Sequence, residues 1–258
     1  MIGAIAGDII GSVYERHNIR RTDFPLFDPR CRFTDDTVLT VAVADAILTG
    51  SEYVKKLKEY CRAYPSRGYG FHFYIWAASE DEGPYNSLGN GSAMRVSPVA
   101  YAFDTIGAVL VEAKRSAEAT HNHPEGIKGA QAASSAVYLA RNGSPKEEIK
   151  SYIERNFGYG LDEPLDEIRK YYTHDVTCPG SVPQAIRAFL ESDDFEDSVR
   201  KAISIGGDSD TIACITGSIA HAYYGALPDH IRIPVFEMLD DRLKQVIDAF
   251  CARYNVPL

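Results

Sequence analysis

Two segments of the chain place acidic residues directly before a helix-length run with almost no charge. The segments are FTDDTVLTVAVADAIL (33–48) and GGDSDTIACITGSIAHAYYG (206–225). A helix that is apolar nearly all round belongs in the centre of an α-protein, so both acidic starts are predicted to be half-buried. The residues at these starts are Thr34, Asp35, Asp36, Asp208, Asp210 and Thr211.

Two explanations fit this pattern. An Asp at a helix start can cap free backbone N–H groups, but one carboxylate per helix is enough for that. If both starts face one space, four carboxylates meet there, and each pair at about 4 Å repels by about 4 kcal/mol. Mg²⁺ or Mn²⁺, bound by carboxylate and hydroxyl oxygens, would relieve this, and two ions about 4 Å apart would suit four to five carboxylates. An EF-hand is excluded because the Gly and terminal Glu of that loop are missing after Asp208.

The remaining sequence predicts an all-α fold. Apolar residues recur at intervals of three and four residues along most segments, and the alternating patterns of strands are nearly absent. No linker or repeat divides the 258 residues, so residues 1–258 are predicted to form one domain of about a dozen helices. Besides the two helices above, a helix is predicted at 51–64, with Ser51 as its cap, and a short one just after Ala93. Further helices are predicted at 105–119, 124–141, 145–156, 162–171, 182–191, 195–204 and 240–254.

The first helix leads into a long irregular segment. Ile2, Ile5 and Ile9 lie on one helical face, and this helix is predicted to end near Glu15. Residues 16–33 contain five arginines and two prolines without a clear period, which is typical of a long loop and suggests a lid.

Composition excludes several classes of protein. The 27 Lys and Arg against 36 Asp and Glu give a net charge of −9, which argues against binding nucleic acid as a polyanion or an anionic membrane. The five cysteines are scattered without zinc-site spacing and are predicted to be reduced thiols. No signal peptide or membrane span is recognisable, so a cytoplasmic location is expected.

Two further motifs could bind a ligand. In SLGNGSAMR (87–95), Gly89 and Gly91 allow close approach of the backbone to a phosphate, although a turn with Ser92 as helix cap explains the same residues. In THNHPEGIKGAQA (120–132), His121 and His123 precede a helix start and could contact phosphate or a base, or could simply be surface or capping residues.

Five segments, in this order, resemble the ADP-ribosylglycohydrolase family. They are GAIAGDIIGSVYE, FTDDTVLT, SLGNGSAMRVSP, THNHPEGIKGAQA and GGDSDTIACITGSIAHAYYG, and they span residues 3–225. The resemblance implies an all-α domain with a binuclear Mg²⁺ or Mn²⁺ centre in a central cleft. The implied activity is cleavage of the bond between ADP-ribose and an acceptor, on an ADP-ribosylated protein or a small molecule.

Matching the motifs residue by residue implies roles for particular side chains. The implied metal ligands are Thr34, Asp35, Asp36, Asp208, Asp210 and Thr211. The implied catalytic residues are Glu15, Asp36 and Asp208, with Glu15 or a metal-bound Asp as base. The implied substrate-binding residues are Gly89, Asn90, Gly91, Ser92 and His123.

The acceptor is left open by the sequence. Arginine-linked ADP-ribose is slightly preferred from the resemblance, while serine-linked, nucleic-acid-linked and small-molecule conjugates are not excluded. The acidic loop SEDEGPYN (79–86) offers Glu80, Asp81 and Glu82 as candidate acids or acceptor contacts. Two alternative functions use the same residues: a non-catalytic ADP-ribose-binding or crystallin-like member of the fold, and a two-metal phosphohydrolase acting on ADP-ribose or nucleotides.

Overall fold

The computed structural model describes all 258 residues and is entirely helical. Its fifteen helices are α1 Ile2–Gly11, α2 Asp35–Thr49, α3 Tyr53–Ala63, α4 Phe71–Ala78, α5 Gly91–Met94, α6 Ser97–Ala102, α7 Ile106–Glu118, α8 Pro124–Arg141, α9 Lys146–Phe157, α10 Leu165–Tyr171, α11 Cys178–Glu191, α12 Phe195–Ile203, α13 Ser209–Tyr224, α14 Asp229–Glu237 and α15 Asp241–Tyr254. There is no strand, only an isolated bridge between Gly89 and Thr177. The predicted all-α class is confirmed, with fifteen helices instead of about a dozen.

The core is built around α1 and α13. Every residue of α1 and residues 209–221 of α13 are buried, because neither sequence offers a polar face to solvent. The buried apolar side chains form one cluster of 74 residues that extends from Met1 to Val256. The five cysteines are buried and form no disulfide. No helix combines the length and the apolar character required to cross a membrane.

Glycine allows α1 and α13 to cross at very close range. A Cβ atom on Gly7 would lie 2.0 Å from the carbonyl oxygen of Ala213, and one on Gly3 would lie 2.2 Å from that of Gly217. A Cβ on Gly11 would lie 2.6 Å from the Cα of Asp210. The end of α1 therefore lies directly against the acidic start of α13.

Several helix boundaries differ from the prediction. The first helix ends at Gly11, not near Glu15, because the hydroxyl of Ser12 donates back to the carbonyl of Ile9 and accepts from the N–H of Arg32, so the chain turns here. Ser51 does not cap α3; the N-cap is Glu52, without a side-chain cap bond. The predicted 182–191 helix begins earlier, at Cys178, and contains Pro183.

Two helices were not predicted at all. The α4 sequence FHFYIWAA is apolar without an amphipathic period, and three of its large side chains, Phe71, Tyr74 and Ile75, are more than half exposed. The α14 sequence contains Pro234, a residue that normally argues against a helix interior.

The segment between α1 and α2 is tied to the rest of the protein. The side-chain amide of Asn18 bonds both the N–H and the carbonyl of Gly207, at 2.7 and 2.9 Å. Arg20 donates to the carbonyls of Ile205 and Tyr172, and Arg200 donates to that of Phe24. These bonds fix residues 18–24 against α12, the connection between α12 and α13, and the residue that follows α10. The predicted lid role of residues 16–33 stays a prediction.

The helix crossing generates a stability prediction. Gly7→Ala places a methyl group where the α13 backbone lies, so we expect a loss of about 3 kcal/mol in the free energy of unfolding, from overpacking. Gly107→Ala, in α7 with open space around the glycine, should instead stabilise by up to about 1 kcal/mol through helix propensity. Urea denaturation of both variants measures the difference. Equal effects would show that the crossing is looser than described.

Candidate metal centre and cleft

The two acidic helix starts converge, as predicted. Thr34 is the N-cap of α2, and its hydroxyl accepts from the N–H of Asp36 at 3.3 Å. The hydroxyl of Thr211, in the first turn of α13, lies 3.4 Å from Oδ2 of Asp36 and donates to it. One oxygen each from Asp36, Asp210 and Asp8 lie within 4.8 Å of one another.

Asp8 is a site residue that the sequence analysis did not identify. It lies in α1 and is fully buried. Its carboxylate accepts from the N–H and hydroxyl of Thr34, at 3.0 and 2.6 Å, and from the N–H and hydroxyl of Thr37. Three of these four bonds end on Oδ2 and one on Oδ1, so Oδ1 keeps a free lone pair. Asp8 therefore holds the start of α2 in place and still leaves one oxygen able to contact a cation. An acid inside an otherwise apolar helix was the available signal.

Capping does not account for the clustered carboxylates. The α2 cap is the Thr34 hydroxyl, and Asp208, although at the N-cap position of α13, makes no side-chain cap bond. Oδ1 of Asp36 is buried without any hydrogen-bond partner. A buried, unpartnered carboxylate oxygen is costly unless a proton or a cation satisfies it. The donor set of carboxylates and threonine hydroxyls, without thiolate or imidazole, fits Mg²⁺ or Mn²⁺.

The acids also destabilise one another. Burial raises the pKa of Asp36 well above its usual range, and repulsion from Asp8 and Asp35 adds to this. Burial, and then repulsion from Asp208, likewise raise the pKa of Asp210. For Asp35 the causes are burial and Asp8, and burial raises the pKa of Asp8 itself against its hydrogen bonds. The centre thus favours binding protons or cations.

A cleft of about 490 Å³ opens over these acids, a volume typical of small-molecule sites. The predicted site residues that line it are Glu15, Thr34, Asp35, Asp36, Gly89, Asn90, Gly91, Asp208, Asp210 and Thr211. Asn90 connects the glycine loop to the acids, since its amide donates to Oδ2 of Asp208 at 2.7 Å and to Ser181 at 2.9 Å.

Two predicted substrate-binding residues lie outside the cleft lining. Ser92 is fully buried, and its hydroxyl donates to the carbonyl of Gly126 at 2.7 Å. His123 is the N-cap of α8 and accepts from the N–H of Glu125. The histidine of this motif that lines the cleft is His121. The sequence could not separate the two histidines, because which one faces inward depends on how α8 packs.

The three acids of the loop SEDEGPYN do not line the cleft, although Tyr85 of the same loop does. Glu80 and Glu82 line a separate hollow of about 350 Å³ beside α3. The Asp81 side chain accepts from the N–H of Gly83, and Lys58 donates to the Asp81 carbonyl. The predicted contribution of these acids to acceptor contacts is therefore not supported by their positions.

Cationic and aromatic side chains complete the lining, and of these only His121 was a candidate ligand contact from the sequence. The arginines are Arg16, Arg32, Arg67 and Arg95, and the aromatic residues are Phe71, His72, Phe73, Tyr85 and His121. The guanidinium of Arg67 lies 3.8 Å over the ring of Phe33, which fixes it without a carboxylate partner. Arg16 adjoins Glu15 in the sequence and Arg95 ends the SLGNGSAMR motif, which was the available signal.

Comparison with known proteins agrees with this architecture. The family model for ADP-ribosylglycohydrolase matches residues 1–257. The chain is 25% identical to ADP-ribosylhydrolase ARH3 of Danio rerio, over 97% of this chain and 90% of the relative. It is 26% identical to ADP-ribosylarginine hydrolase Tri1 of Pseudomonas putida, over 87% and 69%. A solved ADP-ribosylglycohydrolase-related protein complex is similar with a TM-score of 0.75 at 25% identity, covering 98% of this chain and 95% of that chain.

The raised pKa values predict how stability depends on pH without metal. Between the ordinary pKa of Asp, about 4, and the raised values, the folded protein holds more protons than the unfolded chain, so stability should fall as pH rises through this window. Mg²⁺ or Mn²⁺ should flatten this slope and raise Tm, because at a hundredfold excess over Kd a bound ion adds about 2.7 kcal/mol to the free energy of unfolding. Thermal melts between pH 5 and 8, with chelator and with each ion, measure it.

A matched pair of variants tests whether the metal response belongs to the acid cluster and not to any buried acid. Asp210→Asn should stabilise the metal-free protein at pH 8 by about 1 kcal/mol and abolish the metal-induced rise in Tm. Asp45→Asn, at the opposite end of α2, breaks the ion pair with Lys56 and should destabilise while leaving the metal response intact. If both ions leave Tm of the wild-type protein unchanged, the metal assignment is wrong.

Proposed function

Because this chain belongs to the ADP-ribosylglycohydrolase family, we propose that it is a metal-dependent hydrolase that cleaves the glycosidic bond between ADP-ribose and an acceptor. The observation that carries the proposal is the unpartnered Oδ1 of Asp36, buried among acids at the base of the cleft. Such an arrangement is unfavourable on its own and becomes favourable when cations bind.

The residues that would hold two Mg²⁺ or Mn²⁺ ions are Thr34, Asp35, Asp36, Asp208, Asp210 and Thr211. When bound, the ions neutralise the carboxylates and polarise the oxygens that they contact. The Thr34 hydroxyl suits this role, because its single proton is donated to Asp8 and a lone pair stays free. Asn90 likewise orients Asp208 through a 2.7 Å bond.

Glu15 is the proposed general base, with Asp36 and Asp208 as the other acids of the reaction. Glycosidic cleavage passes through an oxocarbenium-like state, and carboxylates serve it by moving a proton to the leaving group or from water. Glu15 is partly exposed in the cleft and is close enough to Asp35 and Asp210 to raise the pKa of each. Unlike the buried acids, it is accessible to water and to an acceptor.

The charge of the cleft supports an anionic substrate. The protein carries a net charge of −9, yet four arginines and no lysine line the cleft. Arg16, Arg32 and Arg67 make no ion pair with a carboxylate of the chain, so their charge is available to a diphosphate. Gly89 and Gly91 leave room for the backbone to approach the same group.

Among acceptors, we propose arginine-linked ADP-ribose as the first candidate. The relative Tri1 is an ADP-ribosylarginine hydrolase, and Glu15 and Asp35 in this cleft would attract a guanidinium. Serine-linked, nucleic-acid-linked and small-molecule conjugates are the alternative substrates to be tested. The cytoplasmic location expected from the sequence is also part of the proposal.

Release of free ADP-ribose tests the reaction. We expect turnover of at least one conjugate class, dependent on Mg²⁺ or Mn²⁺ and abolished by chelator, measured by chromatography of the products. AMP and ribose phosphate as the main products would instead indicate a phosphohydrolase. Tight ADP-ribose binding without turnover of any conjugate would indicate a non-catalytic member of the fold.

Removing the base tests the role of Glu15. Glu15→Gln should lower kcat by about a hundredfold or more while the metal-induced rise in Tm is retained, since the amide cannot accept the proton. Glu80→Gln, a neutralisation of the same kind in the separate hollow, should leave kcat unchanged. Similar rates for Glu15→Gln and wild type would remove Glu15 from the mechanism.

A further inference from the structure

A buried arginine without a carboxylate partner lies beneath the cleft. Arg95 follows α5 and has no exposed surface. Its Nη2 donates to the carbonyl of Ser116 at 3.3 Å and to the hydroxyl of Thr120 at 2.8 Å, while Nε and Nη1 have no partner. Burial lowers the pKa of Arg95 to about 10, so the side chain stays charged at neutral pH.

The hydroxyl of Thr120 links this arginine to His121. A guanidinium only donates hydrogen bonds, so the Thr120 oxygen accepts from Arg95. Nδ1 of His121 lies 2.7 Å from the same oxygen. If Nδ1 carried a proton and donated it, the buried hydroxyl proton of Thr120 would have to go to the hydroxyl of Tyr85, and a phenol oxygen is a weaker acceptor than an imidazole nitrogen lone pair. The hydroxyl therefore donates to Nδ1, and the ring proton is on Nε2.

The protonated nitrogen faces the cleft. Nε2 of His121 makes no hydrogen bond within the chain and lies beside the glycine loop, where a Cβ on Gly89 or Gly91 would be 3.5 or 3.3 Å away. The two glycines thus leave the space beside this donor open. The ring is held laterally by Tyr85, at 6.1 Å between ring centroids.

The surroundings also keep the ring neutral. Burial lowers the pKa of His121 well below its ordinary value, and the charge of Arg95 lowers it further. The groups that face the ring are Arg95, Thr120 and Tyr85, whose hydroxyl has a pKa raised by burial to about 12 and is therefore uncharged. No carboxylate is present to favour an imidazolium.

We propose that Arg95 and Thr120 are positioning residues that hold His121 as the neutral Nε2–H tautomer, which donates to a diphosphate oxygen of bound ADP-ribose. The identity of this ligand rests on the proposed function. The tautomer decides whether Nε2 of His121 attracts or repels the diphosphate, because the Nδ1–H form would turn a nitrogen lone pair toward an anionic oxygen.

Nitrogen NMR of the metal-free protein tests the tautomer without any substrate. In protein labelled with ¹⁵N-histidine, His121 should show a protonated Nε2 and an unprotonated Nδ1 that do not change between pH 5 and 8. His121→Gln assigns the signals by their loss. A protonated Nδ1, or titration of His121 in this range, would overturn the proposal.

A pair of Thr120 variants tests the relay, meaning the hydrogen bonds from Arg95 to Thr120 and from Thr120 to His121 that fix the tautomer. Thr120→Val removes the hydroxyl at nearly constant volume, so the Nδ1–H form or the imidazolium should appear in the nitrogen spectrum. The Kd for ADP-ribose, measured by calorimetry with Mg²⁺, should rise about fivefold, which corresponds to one net hydrogen bond of about 1 kcal/mol. Thr120→Ser keeps the hydroxyl and should restore both. A role in packing alone would lower Tm but leave the nitrogen pattern unchanged, and that result would contradict the relay.

The experiments distinguish a failure of the proposed function from a failure of the relay. If wild-type protein does not bind ADP-ribose, the proposed function is wrong, whatever tautomer His121 shows. If it binds ADP-ribose but Thr120→Val keeps both the nitrogen pattern and the affinity of the wild type, the relay is wrong and the proposed function stands.

Discussion

The burial of like charges at two helix starts is the constraint on which the rest of the structure depends. Asp36 and Asp210 belong to the central helices α2 and α13, which have no solvent-facing side along which these acids could move apart. Their raised pKa values express the free-energy cost of this arrangement. A divalent cation offsets that cost, so binding and folding are coupled at the same atoms.

The backbone contact between α1 and α13 makes this convergence possible. Because Gly7 and Gly11 carry no side chain, the end of α1 reaches the Cα of Asp210, and Asp8 from the same helix bonds the start of α2. One short helix thus fixes both acidic starts. Close-packed glycine contacts deform little, so the distance between the end of α1 and the start of α13 is well defined.

Positive charge in the cleft balances the acids on the substrate side. Arg16, Arg32 and Arg67 lie at the cleft surface, whereas Arg95 is buried behind the glycine loop. A buried guanidinium without a carboxylate partner is costly by itself, as is the unpartnered oxygen of Asp36. The cleft therefore combines an acidic floor that favours cations with a basic wall that favours an anion, which is the polarity that a diphosphate sugar bound near metal ions requires.

The sequence by itself determined the helical class, the two acidic starts and the family, because helical period, helix-start chemistry and ordered motifs are local in the chain. It did not identify α4 or α14, since an apolar run without a period and an internal proline carry no helix signal. Only the tertiary structure showed that Asp8 supports α2 and that His121, not His123, lines the cleft. The physical reason is that hydrogen bonds between residues distant in sequence, and the packing of one helix on another, decide which side chains face a common space.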